Sequence, residues 1–367
     1  MNFDLQKHFL ILKTRRMKKT IKIAFIGFIL FLHFSAKIYS QTIAETLSNL
    51  SSDAVVKYSE PVIGAFGSSM NSGWFTGLPA SSNGIHAKLR FVGVGSFFSD
   101  DLRTFSHTGN LRLTSAQVDE ILISSGYNPS TIPNYESVKN EILSRDWEVL
   151  FNGPTITGNY DDYLKVDFPS AEVQGYTIEQ YTLELTDVRG YLNNIDVMPS
   201  PAIQFDLGSL IGTGVSVRYF RGINLQDLGI VNIWGAGFTH NLNYWFAEAL
   251  PIEIGFGYYF QDFKVGDIFK NTASQYGLFI SKRLGGRVSI EPYASLTYEN
   301  SRSEINYNYE FDSPAGRQEL QLNIDYNGDQ TVNLAIGTSI NLSIFVLNFD
   351  YKFGGTNTGT VGVGFGF

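Results

Sequence analysis

Apolar and polar residues alternate with a period of two along most of the chain after about residue 200. In the clearest segment, 252–261, Ile254 and Phe256 share one face, while Gly255 and Gln261 lie on the other. This alternation predicts strands whose two faces meet different surroundings. A run of about ten residues is also long enough for a tilted strand to cross the hydrocarbon layer of a membrane. Comparable runs of 9–11 residues occur at 332–342 and 345–353.

The alternation divides the chain into at least ten strands. We predict them at 84–98, 201–209, 212–221, 228–240, 250–262, 273–283, 286–300, 319–341, 343–353 and 359–367. Ten is a minimum because segment 99–200 has room for further hairpins, and we therefore expect about 10–14 strands.

The connections between the strands distinguish a membrane barrel from a soluble β-sandwich, which would show the same alternation. Bacterial barrels alternate short periplasmic turns with longer outer loops. The predicted connections alternate in this way, and both ends of the predicted barrel lie on the short side. The short side has connections near 209–212, 241–249, 284–286 and 341–343, and the long side has 99–200, 222–227, 263–272, 301–318 and 354–358. The predicted fold class is therefore all-β, a transmembrane antiparallel β-barrel.

The N-terminus has the features of a secretory signal peptide. Basic residues such as Arg15 and Lys22 precede an apolar core of ten residues, Ile23 to Leu32. This core is too short to anchor the chain as a transmembrane helix. We predict a signal peptide at 1–40, with Met17 as an alternative start, and a location in the cell outer membrane.

Residues 41–83 precede the first predicted strand. They open with an amphipathic stretch in which Ile43, Leu47 and Leu50 recur at helical spacing, and they continue into a stretch rich in Gly and Ser. A segment of this kind can fold back into the lumen of a barrel. We predict a partly helical plug, and the alternative is a periplasmic segment.

Segment 99–200 carries signals for a small helical insertion within the barrel domain, 84–367. Thr114 and Gln117 have the spacing of a capping box, and Gly126 follows as a stop. A second helix is predicted at about 135–147. The sequence leaves open whether the insertion is extracellular or lumenal.

The last strand ends the chain with alternating apolar residues and a terminal aromatic residue. Val363, Phe365 and Phe367 would share the lipid face. An apolar edge strand is a template for pairing, and an insertion machine can bind it by strand addition. The ending resembles the assembly signal of outer-membrane barrels, so outer-membrane lipid and the barrel-assembly machinery are the expected partners.

Composition excludes several classes of function. Eight of the 27 basic and one of the 35 acidic residues lie in 1–40, so the mature chain keeps 19 and 34 and carries a net charge of −15. Nucleic acid is therefore not an expected partner. The chain has no cysteine, which excludes disulfides and zinc–thiolate sites. Because no nucleophile elbow and no metal-spaced histidine pair occur, we expect no enzyme activity, no metal and no cofactor.

Charged residues on the predicted lumenal faces are the candidate site. They are His86, Lys88, Arg90, Arg218, Glu253 and Glu291. One interpretation is a basic patch that binds an anionic group of a ligand. The other is structural, in which the cations pair with Glu253, Glu291, Glu299 or Asp350 to hold the plug, because unpaired buried charge is costly.

Two stretches, Tyr58 to Phe75 and Pro199 to Phe220, resemble an uncharacterised family of Bacteroidota outer-membrane proteins. More distantly, the layout resembles long-chain fatty-acid transporters, which are barrels with an N-terminal hatch, although their Asn-Pro-Ala hatch motif is absent. The resemblance implies a barrel that binds or passes hydrophobic or amphipathic small molecules. The alternative is a non-transporting barrel that serves as a surface-binding or secretion-assembly component.

Overall fold

A computed structural model describes residues 52–366 except 83, 187, 225–228, 247–249, 314, 315 and 329. At 52, 222–224, 307–313 and 316–324 it describes the backbone alone. The amphipathic stretch at Ile43, Leu47 and Leu50, and the signal peptide, lie outside the described residues.

Ten antiparallel strands close into a barrel, the lower limit of the predicted range. The strands, in the order in which they pair, are β1 (His86–Phe97), β8 (Val197–Leu210), β9 (Thr213–Asn224), β10 (Ile230–Asn241), β11 (Glu253–Val265), β12 (Phe269–Ser281), β14 (Val288–Ser313), β16 (Thr331–Leu342), β17 (Phe345–Phe353) and β18 (Thr358–Gly366). A two-residue strand, β13 (Leu284–Gly285), pairs with the start of β14.

The first and last strands join to close the wall. β1 and β18 are antiparallel from Lys88 opposite Gly366 to Ser96 opposite Thr358. We call the end where β1 begins and β18 finishes the short-turn end, because residues 211–212, 282–287 and 343–344 connect strands there. The opposite, long-loop end carries the insertion and residues 354–357.

The two faces of the wall differ as the alternation predicts. Val361, Val363 and Phe365 point outward and are exposed, whereas Thr358 and Thr360 point into the lumen and are buried. An apolar outside and a polar inside are typical of membrane barrels. Val363 and Phe365 thus lie on the predicted face, and Phe367 is outside the described residues.

The prediction of one strand at 319–341 is wrong. β14 continues past the barrel and pairs with a separate strand, β15 (Gly316–Asn327), from Arg302 opposite Asn327 to Ser313 opposite Gly316. The barrel strand β16 begins only at Thr331. Apolar or aromatic residues alternate with polar ones through 305–311 and again through 320–326, so the period-2 pattern continues beyond the barrel wall and does not show where the barrel strands end.

A helix precedes the barrel at a position where the Gly- and Ser-rich sequence predicts none. Helix α1 (Ser52–Met70) contains Pro61 and two glycines, which are poor helix formers. Its stability comes from packing against the wall, as where Phe66 meets Phe263 at 4.6 Å and Phe269 at 5.4 Å between ring centroids. Tertiary contacts therefore override local propensity.

The insertion between β1 and β8 contains the two predicted helices together with several short strands, for which the sequence left room. Its helices are α2 (Ser115–Ser124), with the predicted capping box between Thr114 and Gln117, and α3 (Tyr135–Ser144). Its strands are β2 (Thr104–Leu111), β3 (Trp147–Pro154), β4 (Leu164–Phe168), β5 (Ala171–Val173), β6 (Tyr176–Ile178) and β7 (Tyr181–Leu185). One sheet has the order β2-β3-β4-β7, and β5 pairs with β6.

None of the described helices is both long and apolar enough to cross a membrane.

Candidate functional site in the barrel lumen

The segment 52–82 passes lengthwise through the lumen, and we call it the plug. At the long-loop end, the Tyr58 hydroxyl donates to the carbonyl of Arg189 at 2.9 Å, and the Ile156 amide donates to the carbonyl of Tyr58. At the short-turn end, the Ser209 hydroxyl donates to the carbonyl of Ala80 at 2.7 Å. The plug therefore starts at the long-loop end and runs into β1 at the short-turn end.

Side chains of the wall donate hydrogen bonds to main-chain carbonyls of the plug. Buried carbonyls at the end of a helix or in an extended segment without a strand partner must be satisfied in this or a similar way. The bonds run from Ser96 to Ala65 at 2.9 Å, Lys352 to Ser68 at 3.0 Å, Arg218 to Ser72 at 2.9 Å, Arg90 and Gln204 to Trp74 at 3.0 and 2.9 Å, Ser339 to Thr76 at 2.7 Å, and Asn241 to Pro79 at 2.7 Å.

Arg90 is completely buried where the plug meets β1. Its Nε donates to Asp206 Oδ2 at 2.9 Å and its Nη1 donates to Asn348 Oδ1 at 3.3 Å. Its Nη2 donates to the Trp74 carbonyl. Arg90 is thus a plug contact with an ion-pair partner, Asp206, that the sequence reasoning missed.

Arg218 holds the same part of the plug with neutral partners. Its Nε donates to Gln204 Oε1 at 2.8 Å, its Nη1 to Gln261 Oε1 at 3.1 Å, and its Nη2 to the Ser72 carbonyl. The guanidinium carbon lies 3.9 Å from the ring centroid of Trp74, a cation–π contact. Among the described residues, neither arginine pairs with Glu253, Glu291, Glu299 or Asp350, the partners that the structural interpretation named, and Glu299 accepts from Lys352 at 2.6 Å.

Aromatic side chains pack at the middle of the lumen. Trp74 stacks on Tyr259 with ring centroids 5.0 Å apart, and Phe75 meets Phe279 at 4.5 Å and Tyr293 at 5.3 Å. These residues and Leu78 are all less than 10% exposed and form one apolar cluster. The plug is therefore anchored by apolar packing as well as by hydrogen bonds.

A cavity of about 160 Å³ lies between the plug and the short-turn end. Its apolar lining includes Trp74, Leu78, Pro79 and Tyr259. The charged and titratable residues that line it are His86, Lys88, Asp206, Glu253, Arg283 and Glu291. Four of the six residues predicted from the sequence thus come together here, and the other two, Arg90 and Arg218, hold the plug.

Apart from Asp206, which pairs with Arg90, the charged residues around the cavity form no close ion pair within the described part of the chain. Neither Lys88 nor Glu291 takes part in any ion pair found within the described part of the chain. Glu291 is only 5% exposed, and Gly77 of the plug has no side chain where it passes this carboxylate. Arg283 donates to the Ser289 hydroxyl at 3.1 Å. The cavity therefore offers both signs of charge next to an apolar wall.

Among the described residues, no three or more His, Asp or Glu side chains come together in a way that could hold a metal ion.

The sequence profile of one protein family matches residues 17–367. The chain belongs to DUF6588, a family of unknown function. No curated protein matches the chain.

Several solved structures are similar to this DUF6588 chain at low identity. The β-domain of the Bordetella autotransporter BrkA is 10% identical with a TM-score of 0.30, and the match covers 78% of this chain and 100% of that one. The transport unit of the autotransporter AIDA-I from Escherichia coli is 13% identical with a TM-score of 0.29, covering 83% and 98%. The toluene transporter TodX of Pseudomonas putida is 11% identical with a TM-score of 0.22, covering 83% and 96%.

Proposed function

We propose that the chain is an outer-membrane protein that binds small amphipathic molecules in its lumen and passes them across the membrane. The membrane location is supported by the outward face of the barrel, where residues such as Phe256, Leu296 and Val361 are exposed. In a soluble protein this face would be an unusually large apolar patch. Exposed Trp234 and Trp245, near opposite ends of the strands, fit the aromatic girdles of membrane barrels.

The cavity at the short-turn end is the observation that carries the proposed binding activity. Its volume of about 160 Å³ is close to that of an apolar protein cavity of roughly 150 Å³ that binds benzene. Trp74, Leu78 and Tyr259 would contact an apolar body, while Lys88 and Glu291 lie within reach of a charged group. The ligand class is therefore a molecule with an apolar part the size of one ring and a polar or charged substituent.

Trp74 provides a direct test because it lines the cavity. Replacing Trp147, Trp234 and Trp245 by Phe leaves Trp74 as the single fluorescent indole. We expect para-nitrobenzylammonium to quench it saturably, because the nitro ring would contact the indole. Glu291→Gln should weaken this binding by about tenfold, since a hydrogen bond to a charged group contributes roughly 1.5–3 kcal/mol.

The matched control is Glu148→Gln, which removes the same charge from an exposed site in the insertion. It should leave the dissociation constant unchanged. Quenching that rises linearly with probe concentration, without saturation, would show collisional contact only and would overturn the proposed site.

A second candidate, surface binding by the insertion, is favoured by its separate core. Val118 and Leu122 of α2, Val138 of α3 and Phe151 of β3 are fully buried within the lobe. A lobe with its own core exceeds what is needed to connect two strands. A photo-crosslinker at exposed Ile123 should give one discrete adduct on cells, whereas a crosslinker at Glu136 should give none. Identical patterns at both positions would argue against a specific partner.

A further inference from the structure

The joint between β8 and β9 is the shortest in the barrel wall. The other neighbouring strands pair in at least eight successive positions, as β17 and β18 do. The recorded pairs of β8 with β9 are Gln204–Arg218, Phe205–Val217, Asp206–Ser216, Leu207–Val215 and Leu210–Thr213. Both strands nevertheless continue well beyond Gln204 and Arg218.

Beyond this point, as far as the two strands are described, each pairs with its other neighbour and no pair joins β8 to β9. Val197 to Ile203 of β8 remain in register with β1, and β9 remains paired with β10 as far as Asn224, across a register shift between Arg221 and Ile223. Pro199 and Pro201 contribute no N–H to a ladder, so this part of β8 is short of donors. The strands therefore diverge toward the long-loop end.

Toward the short-turn end the same joint is interrupted by a bulge. The register shifts between Leu207 and Leu210, so Gly208 and Ser209 lie opposite Gly214. Two of these three residues carry no side chain, which makes the wall thin at this point. Pro79 of the plug covers it, because a Cβ added at Gly208 would lie 3.3 Å from that proline.

The thin part of the joint borders the cavity. Leu207, Gly208, Gly214, Val215 and Ser216 are all part of the cavity lining. The outer surface of the joint is apolar, and a molecule that leaves the cavity through it would enter the hydrocarbon layer. Its exposed residues include Phe205, Leu210, Ile211, Val217 and Tyr219.

Lumenal side chains keep the joint closed and link it to the plug. Ser216 Oγ and Gln204 Nε2 both donate to Asp206 Oδ1 at 2.6 Å. Gln204 and Arg218, the last pair of the ladder, also donate to the plug carbonyls of Trp74 and Ser72. A displacement of the plug would therefore remove bonds that hold this pair in place.

We propose that the β8–β9 joint is a lateral passage through which the ligand moves between the lumenal cavity and the membrane. This inference rests on the proposed function and specifies the route of the ligand. Charged ligands exchange with water at the short-turn end, and apolar ligands enter or leave through the β8–β9 joint. Displacement of the plug opens the joint, because the plug and the joint share Gln204 and Arg218.

The absence of native cysteine allows the joint to be pinned chemically. Ile203→Cys with Tyr219→Cys places two outward thiols just beyond the last recorded pair, to be linked by a short bismaleimide. Phe91→Cys with Ile203→Cys is the matched control, because these residues are partners in the continuous β1–β8 ladder. Both pairs are placed in the protein whose single tryptophan is Trp74, reconstituted in liposomes.

The readout is the rate at which two probes quench Trp74. Membrane-dissolved para-nitrotoluene should quench at least tenfold more slowly when Ile203 and Tyr219 are linked, and at the normal rate in the linked control. Water-soluble para-nitrobenzylammonium should quench both at the normal rate, since its route is the short-turn end.

The two hypotheses fail in different ways. If para-nitrotoluene reaches Trp74 at the same rate in both linked proteins, the lateral passage is refuted while the lumenal site stands. If neither probe quenches saturably even before linking, the proposed function fails and the passage with it.

Discussion

At the scale of single residues, Arg218 is the clearest determinant of plug binding. Lysine keeps the charge, but its three N–H groups lie on one nitrogen and cannot reach Gln204, Gln261 and the Ser72 carbonyl as the planar guanidinium of Arg218 does. We expect Arg218→Lys to destabilise the folded barrel by about 1–3 kcal/mol, the cost of leaving buried polar groups unsatisfied. The measurement is the urea concentration at which the barrel loses its folded mobility on a gel.

The control for this change is Arg221→Lys on the same strand, where the side chain is exposed. It should shift the midpoint little. Equal shifts for both variants would mean that the contacts of Arg218 with the plug do not determine stability.

Tyr135 in the insertion offers a titration that lies outside the membrane. Its hydroxyl donates to Asp119 at 2.8 Å, and Lys139 donates to the same carboxylate at 2.6 Å. Burial, followed by the bond to Asp119, raises the pKa of Tyr135 to about 12. Because the pKa is raised, its stabilisation is complete below about pH 10 and is lost as the pH rises toward the folded value.

The difference in phenolate absorbance between wild type and Tyr135→Phe should therefore show one titration with a midpoint near pH 12. In Asp119→Asn the same difference should move to lower pH, because the negative partner is gone. A midpoint near pH 10 in both proteins would contradict the contact.

The sequence predicts which residues face the lumen, but not which of them meet. Alternation on β1 places His86, Lys88 and Arg90 on one face, and all three are lumenal. The pairing of Arg90 with Asp206 depends on the register of β1 against β8, which sets Arg90 opposite Gln204. Register between strands separated by the whole insertion cannot be read from local periodicity.

At the scale of elements, the plug contains residues that favour a loop but lie in a helix. Gly64, Gly67 and Pro61 indicate a loop, yet all three lie in α1, and at Gly67 the wall leaves no room for a side chain. Ser301 approaches Gly67 so closely that a larger residue would displace it. The sequence thus predicts a plug at 41–83 but not the position of its helix.

Deletion of residues 52–82 tests the plug as an element. The variant should insert and show ion conductance in planar bilayers, since the lumen would fill with water, whereas wild type should remain closed. A deletion of equal length within the insertion is the control and should stay closed. If the plug deletion assembles but conducts no more than wild type, other residues obstruct the lumen.

At the scale of the whole molecule, closure joins the two ends of the barrel sequence. Phe365 faces outward opposite Leu89 of β1, in the pair of strands that closes the barrel. Phe365→Asp would place a charge on this apolar face, which costs up to a few kcal/mol in a membrane barrel. We expect less heat-modifiable barrel but normal export, measured by gel migration of membrane fractions.

Phe349→Asp is the comparison, because Phe349 is similarly exposed on β17, within the wall. A much smaller loss at Phe349 supports a special role of the last strand in assembly. Equal losses would mean that Phe365→Asp acts only by placing a charge on the outer face.

The resemblance to long-chain fatty-acid transporters stays a prediction, as does the Bacteroidota origin.

Hydrogen-bond donors of the wall bind main-chain oxygens of the plug, and this determines which positions of the plug and of the wall tolerate substitution. Ser68, Thr76 and Ala80 accept through their carbonyls, so almost any side chain at these positions keeps the bond. By contrast, Arg90 or Arg218 cannot change without losing several bonds. A mutational scan should therefore show tolerance at these three plug positions and intolerance at the two arginines of the wall.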